Sequence, residues 1–310
     1  KIPQLKDFYQ DYASYMQAWS EIEKAKHHHD RQEYGLAKEH YENAAVAHKS
    51  LKQWSYLAPN YFAWVQVENA EDLSRSEKSE EALHGFEEAA KLFAETKKAL
   101  ETRLGDIEDL DEKTMATKLI KGSDVRREYC LGRIELEEAK ILDKKSDHYS
   151  SSQKNGEAAQ TFEGIIPAIE SEQEKEEFKL IATLSQAWER MTRAEAEEST
   201  QLYLEASRLF EEAKDLSPNE QAKLLTIGHS RFCKALEVGT RFVDTRDHSL
   251  HTAAIQHLES AATNYVKAGF RNASEYAKAT EQLFDAYMHV DNAKRESYPE
   301  KKTKFYAMAE

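Results

Sequence analysis

Three kinds of side chain in this sequence have the chemistry to act on a ligand. The first is basic. Arg133, Arg190, Arg193, Arg231, Lys234 and Arg241 recur through the middle of a chain that is acidic overall, with 43 Lys and Arg against 57 Asp and Glu and a formal charge of −14. Guanidinium groups in a row suit carboxylates or phosphates, which they grip with two parallel hydrogen bonds. The second is His27-His28-His29-Asp30, a composition that metals favour. Successive residues on a helix point about 100° apart, so three adjacent histidines do not converge on one ion. The run reads as a polar helix end, and no metal site is expected. The third is the paired carboxylates, Glu137-Glu138 and Glu176-Glu177 among them. So acidic a chain forms such pairs by chance, and they read as solvated helix faces rather than acid–base machinery. No phosphate-binding Gly loop, dinucleotide fingerprint, zinc-protease helix, CxxC pair or nucleophile elbow is present. The chain therefore reads as noncatalytic, with no cofactor.

The elements that must position these groups are helical. The chain has only ten Gly and five Pro in 310 residues, and Ala, Glu, Lys and Leu dominate, so helix formers are many and breakers few. A diffuse acidic surface opposes a phosphate backbone, which argues against nucleic acid as partner. No run of 18 apolar residues exists to span a membrane, and no signal peptide is recognisable. Cys130 and Cys233 fall on apolar helix faces and read as buried free thiols, which favours a reducing, cytoplasmic compartment. The start at Lys1 and the incomplete last hairpin suggest a piece excised from a longer protein.

Spacing then organises the helices. Trp188, Met191 and Ala194 are followed by a polar turn, Glu198-Ser199-Thr200, and then by Ala206, Phe210 and Ala213 at offsets of 18, 22 and 25 from the Trp. Trp19 is followed at the same offsets by Ala37, Tyr41 and Ala44, and Trp64 by Ala82, Phe86 and Ala89. Each unit predicts two amphipathic helices, with alanines where the backbones cross. A stretched third unit runs from Leu131 to Ala158 and Phe162, with a polar surface loop expected at residues 143–156. A short extra helix, Asp111 to Lys121 ended by Gly122, precedes it. A fifth unit starts at Cys233 and continues through Ala254, Leu258 and Ala261; a sixth starts at Tyr287 and is cut off near Tyr306. Phe8, Tyr9, Tyr12 and Tyr15 predict a helix face that covers the first hairpin. One hairpin cannot bury its apolar face alone, so neighbours must stack.

This pattern resembles the tetratricopeptide repeat, whose signature is an aromatic, a Leu-Gly pair and a Tyr, and later Ala, Phe, Ala and Pro. Trp188, Met191, Ala206, Phe210, Ala213 and Pro218 match most of it in order; the resemblance runs from about Tyr15 to Glu310. The family's Gly is replaced by Glu23, Glu68, Glu135 and Glu237, and the period exceeds the family's 34 residues, so the match is to a divergent, long-helix form. The resemblance implies an all-α, right-handed α-solenoid of antiparallel helical hairpins, a single domain over residues 1–310 with about five and a half hairpins. It also implies a noncatalytic scaffold or sensor that binds a partner protein or peptide on a concave face lined by the first helices.

In that register the residues flanking the groove are Arg133, Arg190, Arg193, Arg231, Lys234 and Arg241 in units three to five, and Gln66 and Asn69 in the second. Tyr129 and Phe62 are the aromatics expected to face it. Two readings of the basic stripe stay open: it attracts an acidic segment, or each Arg pairs with Glu189, Glu195 or Glu237 within helical reach. The alternative function is the regulatory domain of a larger effector that binds a small anionic ligand. Uncapped ends could also join two copies in a homodimer.

Overall fold

The computed structural model describes the backbone of residues 3–310 and the side chains from residue 8 onward. Among the described residues there are twelve α-helices and no strand. They are α1 (Pro3–Asp30), α2 (Tyr34–Ser50), α3 (Ala58–Arg75), α4 (Ser79–Arg103), α5 (Leu110–Lys144), α6 (His148–Ile165), α7 (Glu172–Glu197), α8 (Thr200–Leu216), α9 (Glu220–Thr245), α10 (His248–Lys267), α11 (Arg271–Arg295) and α12 (Pro299–Ala309). The chain falls into two compact units: Lys1–Ile141 with Gly164–Ile169, and Leu142–Glu163 with Glu170–Glu310. Within each, consecutive helices pack against each other. No described helix is long and apolar enough to cross a membrane.

The seams between helices are built of small residues. Ala37, Ala44, Ala82, Ala89, Ala206, Ala213, Ala254 and Ala261 are all completely buried. At one of them, a Cβ added to Gly85 of α4 would come within 2.8 Å of the Ala70 side chain of α3. Large side chains fill the gaps beside the seams: Phe86, Phe93, Phe162, Phe210, Phe242 and Leu258 are also fully buried. Trp19, Trp64 and Trp188 are half-buried and bridge alternate helices. Trp19 of α1 meets Tyr61 of α3 edge-on at 6.4 Å, and Trp188 of α7 meets His229 of α9 at 4.9 Å. Arg126 of α5 lies 5.2 Å over the ring of Trp64 on α3.

A second regularity has no signature in residue type. α1, α3, α5, α7 and α9 are each followed by a single residue in the left-handed region: Gln32, Glu77, Ser146, Glu198 and Arg246, with φ between 51° and 60°. None is Gly, so each costs about 1–2 kcal/mol of backbone strain. Four of these turns close with the same six-to-one backbone bond, from Glu33 to His28, Lys78 to Leu73, Asp147 to Leu142 and Ser199 to Ala194, all at 2.9–3.0 Å. That bond satisfies carbonyls the helix end would leave open.

Counting from the left-handed residue corrects the expected register. Trp19 and Trp64 each stand thirteen residues before it, but Trp188 stands ten before it, about one helical turn closer. In the third pair the residue thirteen before Ser146 is Arg133, not Leu131. The loop expected at 143–156 is helix except for Lys145-Ser146-Asp147, and Asp147 caps α6 by accepting from the Ser150 amide at 3.1 Å. Ser151 and Asn155 hold the places of Ala37 and Tyr41 and are buried like them. These polar residues lie on a helix seam rather than in a loop. The short helix expected over Asp111–Lys121 is the first part of α5, which runs through Gly122 without a break; one internal Gly costs about 1 kcal/mol and does not end a helix of 35 residues. The aromatic residues near the start belong to α1 itself. Tyr15 stacks on Trp54 at 4.4 Å, while Phe8, Tyr9 and Tyr12 remain exposed.

His48 takes the seam position held by Phe93 in α4 and Phe162 in α6. It is fully buried, stacked on Tyr61 at 5.3 Å, and neither ring nitrogen has a hydrogen-bond partner. Burial holds its pKa down to about 4. The unfolded chain therefore takes up this proton first, near pH 6.5, and the native state loses up to roughly 3 kcal/mol of stability as pH falls from 6.5 to 4. His48→Phe removes that loss. Urea midpoints measured across this range should show the variant gaining on the unsubstituted chain as pH drops; parallel curves would mean that His48 does not titrate as a buried neutral group.

Candidate functional site

The most connected polar group in the first unit lies between α3 and α5. Tyr129 and Arg133 stand one turn apart on α5, and both reach Glu71 of α3. The Tyr129 hydroxyl donates to a Glu71 oxygen at 2.6 Å, and the Arg133 guanidinium pairs with the same carboxylate. Arg133 also donates to the Tyr129 hydroxyl at 3.0 Å and to Ser74 Oγ at 3.2 Å. Ser74 in turn donates to Glu137 at 2.6 Å, and Lys140 donates to the same carboxylate at 2.7 Å. The guanidinium lies 4.6 Å over the Phe86 ring, so its plane is packed as well as its edge.

Electrostatics follow from this geometry. Burial and the Glu71 charge push the Tyr129 hydroxyl well above its ordinary pKa. Burial opposes the charge of Arg133, but Glu71 and Tyr129 more than offset it. Glu137 is fully buried, yet Lys140, Ser74 and Arg133 hold its carboxyl below the ordinary range. One turn earlier on α3, Glu68 is also fully buried and meets His29 of α1 at 2.8 Å. Burial raises Glu68; His29 is raised as well, the carboxylate outweighing burial there. Each buried charge has an opposite neighbour, so the group ties α3 to α1 and α5.

The expected groove residues do not gather on one face. Arg133 and Tyr129 point into the packing between α3 and α5 because Arg133 holds the seam position that Trp19 and Trp64 hold elsewhere. Asn69 accepts from Lys38 of α2 at 2.8 Å and lines a small acidic cavity with Glu39, Glu42 and Asp72. Gln66 is half-buried on the same helix, and Phe62 lies 5.9 Å under Lys49. In the second unit, Arg193 pairs with Glu197 at 2.8 Å and Arg241 with Glu237 at 3.2 Å, each along its own helix. Lys234 reaches Glu211 of α8 at 3.4 Å. Arg231 forms no ion pair with any described residue. Of the carboxylates expected to neutralise the stripe, Glu189 pairs with Arg190 and Glu237 with Arg241; Arg193 pairs with Glu197 instead, and Arg133 and Lys234 with carboxylates of neighbouring helices.

Arg190 has a further role. It pairs with Glu189 at 2.9 Å and with Glu205 of α8 at 3.6 Å, and it lines an open cavity of about 500 Å³ among α6, α7 and α8. Gln160, Glu163, Gln186, Glu205 and Arg208 share that lining. Gln186 donates to Glu163 at 2.6 Å, which fixes one wall. Arg208 is exposed and has no ion pair among the described residues. The cavity lies beside second helices α6 and α8, whereas the resemblance had implied a face of first helices.

The histidine run behaves as its spacing predicts. His28 turns to Glu33 at 2.6 Å and stacks on His40, while His29 turns to Glu68. Both cysteines are buried free thiols; burial pushes Cys130 up to about 12 and raises Cys233 as well. Compared with protein-family models, curated proteins and solved structures, the chain matches none.

Sequence reading missed Glu71, Ser74 and Arg208, and it placed Glu137 on a solvated helix face, whereas the structure buries that carboxylate completely between α3 and α5. Glu71 and Ser74 carried no signal that set them apart from the other acidic and polar residues; Arg208 would have needed the face of α8 to be known. Removing one partner of a buried ion pair strands the other, at about 3–5 kcal/mol. Arg133→Ala should cost that much in urea denaturation, and adding Glu71→Ala should cost clearly less than the sum of the two single changes. Additive losses would show that the two residues are not coupled.

Proposed function

We propose that this chain is a noncatalytic scaffold that holds a partner polypeptide, and that its helix pairs form a right-handed solenoid of antiparallel hairpins similar to the tetratricopeptide repeat. The repeated left-handed turns, the alanine seams and the tryptophan bridges between alternate helices all support such an array. Two buried free thiols suit a reducing compartment such as the cytoplasm.

The observation that carries the binding reading is the cavity among α6, α7 and α8. Its volume is of the order that ligand sites have, but its lining is polar and mixed in charge. Three carboxylates, Glu163, Glu189 and Glu205, stand against two guanidiniums, Arg190 and Arg208. A small anion would meet net repulsion there. An extended peptide with both acidic and basic side chains could pair with each sign in turn, while the amides Gln160 and Gln186 offer hydrogen bonds to its backbone. The acidic partner expected from the basic stripe is thereby replaced by one of mixed charge.

Arg208 offers the cleanest test, because no ion pair is lost when it changes. A photo-crosslinking residue at Gln160 should capture discrete partners in extract of the native cells. Arg208→Glu should cut the yield of those adducts several-fold and flatten its dependence on salt. Equal yields from both proteins at every salt concentration would rule out this cavity as the binding surface.

A further inference from the structure

We propose that Asp143, His148 and Glu195 form a binding site for a divalent transition-metal ion of the zinc class. All three belong to the second unit. Asp143 lies in the last turn of α5, His148 opens α6 and Glu195 lies in the last turn of α7. His148 Nδ1 is 2.9 Å from Asp143 Oδ1 and 3.3 Å from Glu195 Oε2, and the three donor atoms all lie within 4.8 Å of one another. Donors bound at about 2.0–2.2 Å around a tetrahedral ion stand about 3.4 Å apart; the two distances from His148 are already close to that, and the two carboxylate oxygens, within 4.8 Å of each other, reach it by a small side-chain rotation.

The donor chemistry selects the class of ion. Two carboxylates balance a divalent charge, and an imidazole nitrogen is a zinc ligand that calcium and magnesium do not favour. Asp143 is exposed and the other two are half-buried, which leaves the remaining coordination positions open to water. The backbone that carries the donors is held by bonds in which they take no part. The Asp147 amide bonds to the Leu142 carbonyl at 3.0 Å and closes the turn between Asp143 and His148. The Ser199 amide bonds to the Ala194 carbonyl at 3.0 Å, beside Glu195. Two left-handed turns thus present the three side chains at neighbouring helix ends.

The test uses the full chain, stripped with EDTA and titrated with zinc chloride alone, with calcium and magnesium chloride as parallel arms. One zinc per chain should bind, with a saturable rise in Tm. Asp143→Asn, His148→Gln and Glu195→Gln should each weaken that binding more than roughly 10-fold. His84→Gln, at a histidine whose side chain is 79% exposed, should leave it unchanged. Cobalt(II) in place of zinc should give visible absorption bands that His148→Gln abolishes. Circular dichroism establishes that each variant folds, and Glu195→Gln, which keeps the shape of the side chain, stands in should Asp143→Asn not fold. Zinc binding of equal strength in the triple variant, the absence of stoichiometric zinc binding, or tighter binding of calcium or magnesium would each overturn the proposal.

Discussion

Close approach of helix backbones across alanine seams is the constraint on which the rest of this structure depends. Completely buried alanines recur along these seams, from Ala37 and Ala44 in α2 to Ala254 and Ala261 in α10. Any larger side chain there would push the helices apart, and the aromatic residues beside the seam would lose their contacts. The turns serve the same constraint. A left-handed residue after α1, α3, α5, α7 and α9 reverses the chain within a few residues, so that each following helix starts close enough to meet its predecessor. Strain at five non-glycine residues is the cost, and backbone hydrogen bonds with seam burial offset it.

Polar side chains occupy the same seams, and they differ in how they are satisfied. In the first unit, Arg133 stands where a Trp stands in α1 and α3, and Glu71, Ser74 and Glu137 surround it with acceptors. His48 stands where a Phe stands and has no acceptor at all, so it stays neutral. His229 in the second unit is likewise held down to about 4 by burial, between Trp188 and Phe210, with the Tyr265 hydroxyl 2.9 Å from Nδ1. One seam geometry therefore accepts a charged network, a neutral ring or a plain aromatic, provided that each buried charged group has an oppositely charged neighbour.

The helical class and the seam alanines were legible in the sequence because both depend on local periodicity. Ala82, Phe86 and Ala89 repeat Ala37, Tyr41 and Ala44 at fixed spacing, and a period of 3.6 residues leaves no other element that would bury them together. The turn register was not legible. Gln, Glu, Ser, Glu and Arg fill the left-handed positions, where Gly is the residue that announces such a turn. Without that mark, nothing in residue type separates the buried Ser151 and Asn155 from a polar loop, or moves the seam from Leu131 to Arg133. The candidate site suffered most from this shift. Moving the count by two residues carries a side chain to the far side of its helix, which turns Arg133 and Tyr129 from the expected groove into the packing between α3 and α5.

Two alanines on α4 offer the most direct test of the seam. Ala89 is completely buried against α3, and Ala94, on the same helix, is exposed. Leucine has nearly the helix propensity of alanine, so the two substitutions differ mainly in what the larger side chain meets. Ala89→Leu should lower stability by about 1–3 kcal/mol or more, whereas Ala94→Leu should stay within about 0.5 kcal/mol, both read from urea denaturation followed by circular dichroism. Equal effects of the two changes would contradict the claim that small residues at the crossings set how these helices pack.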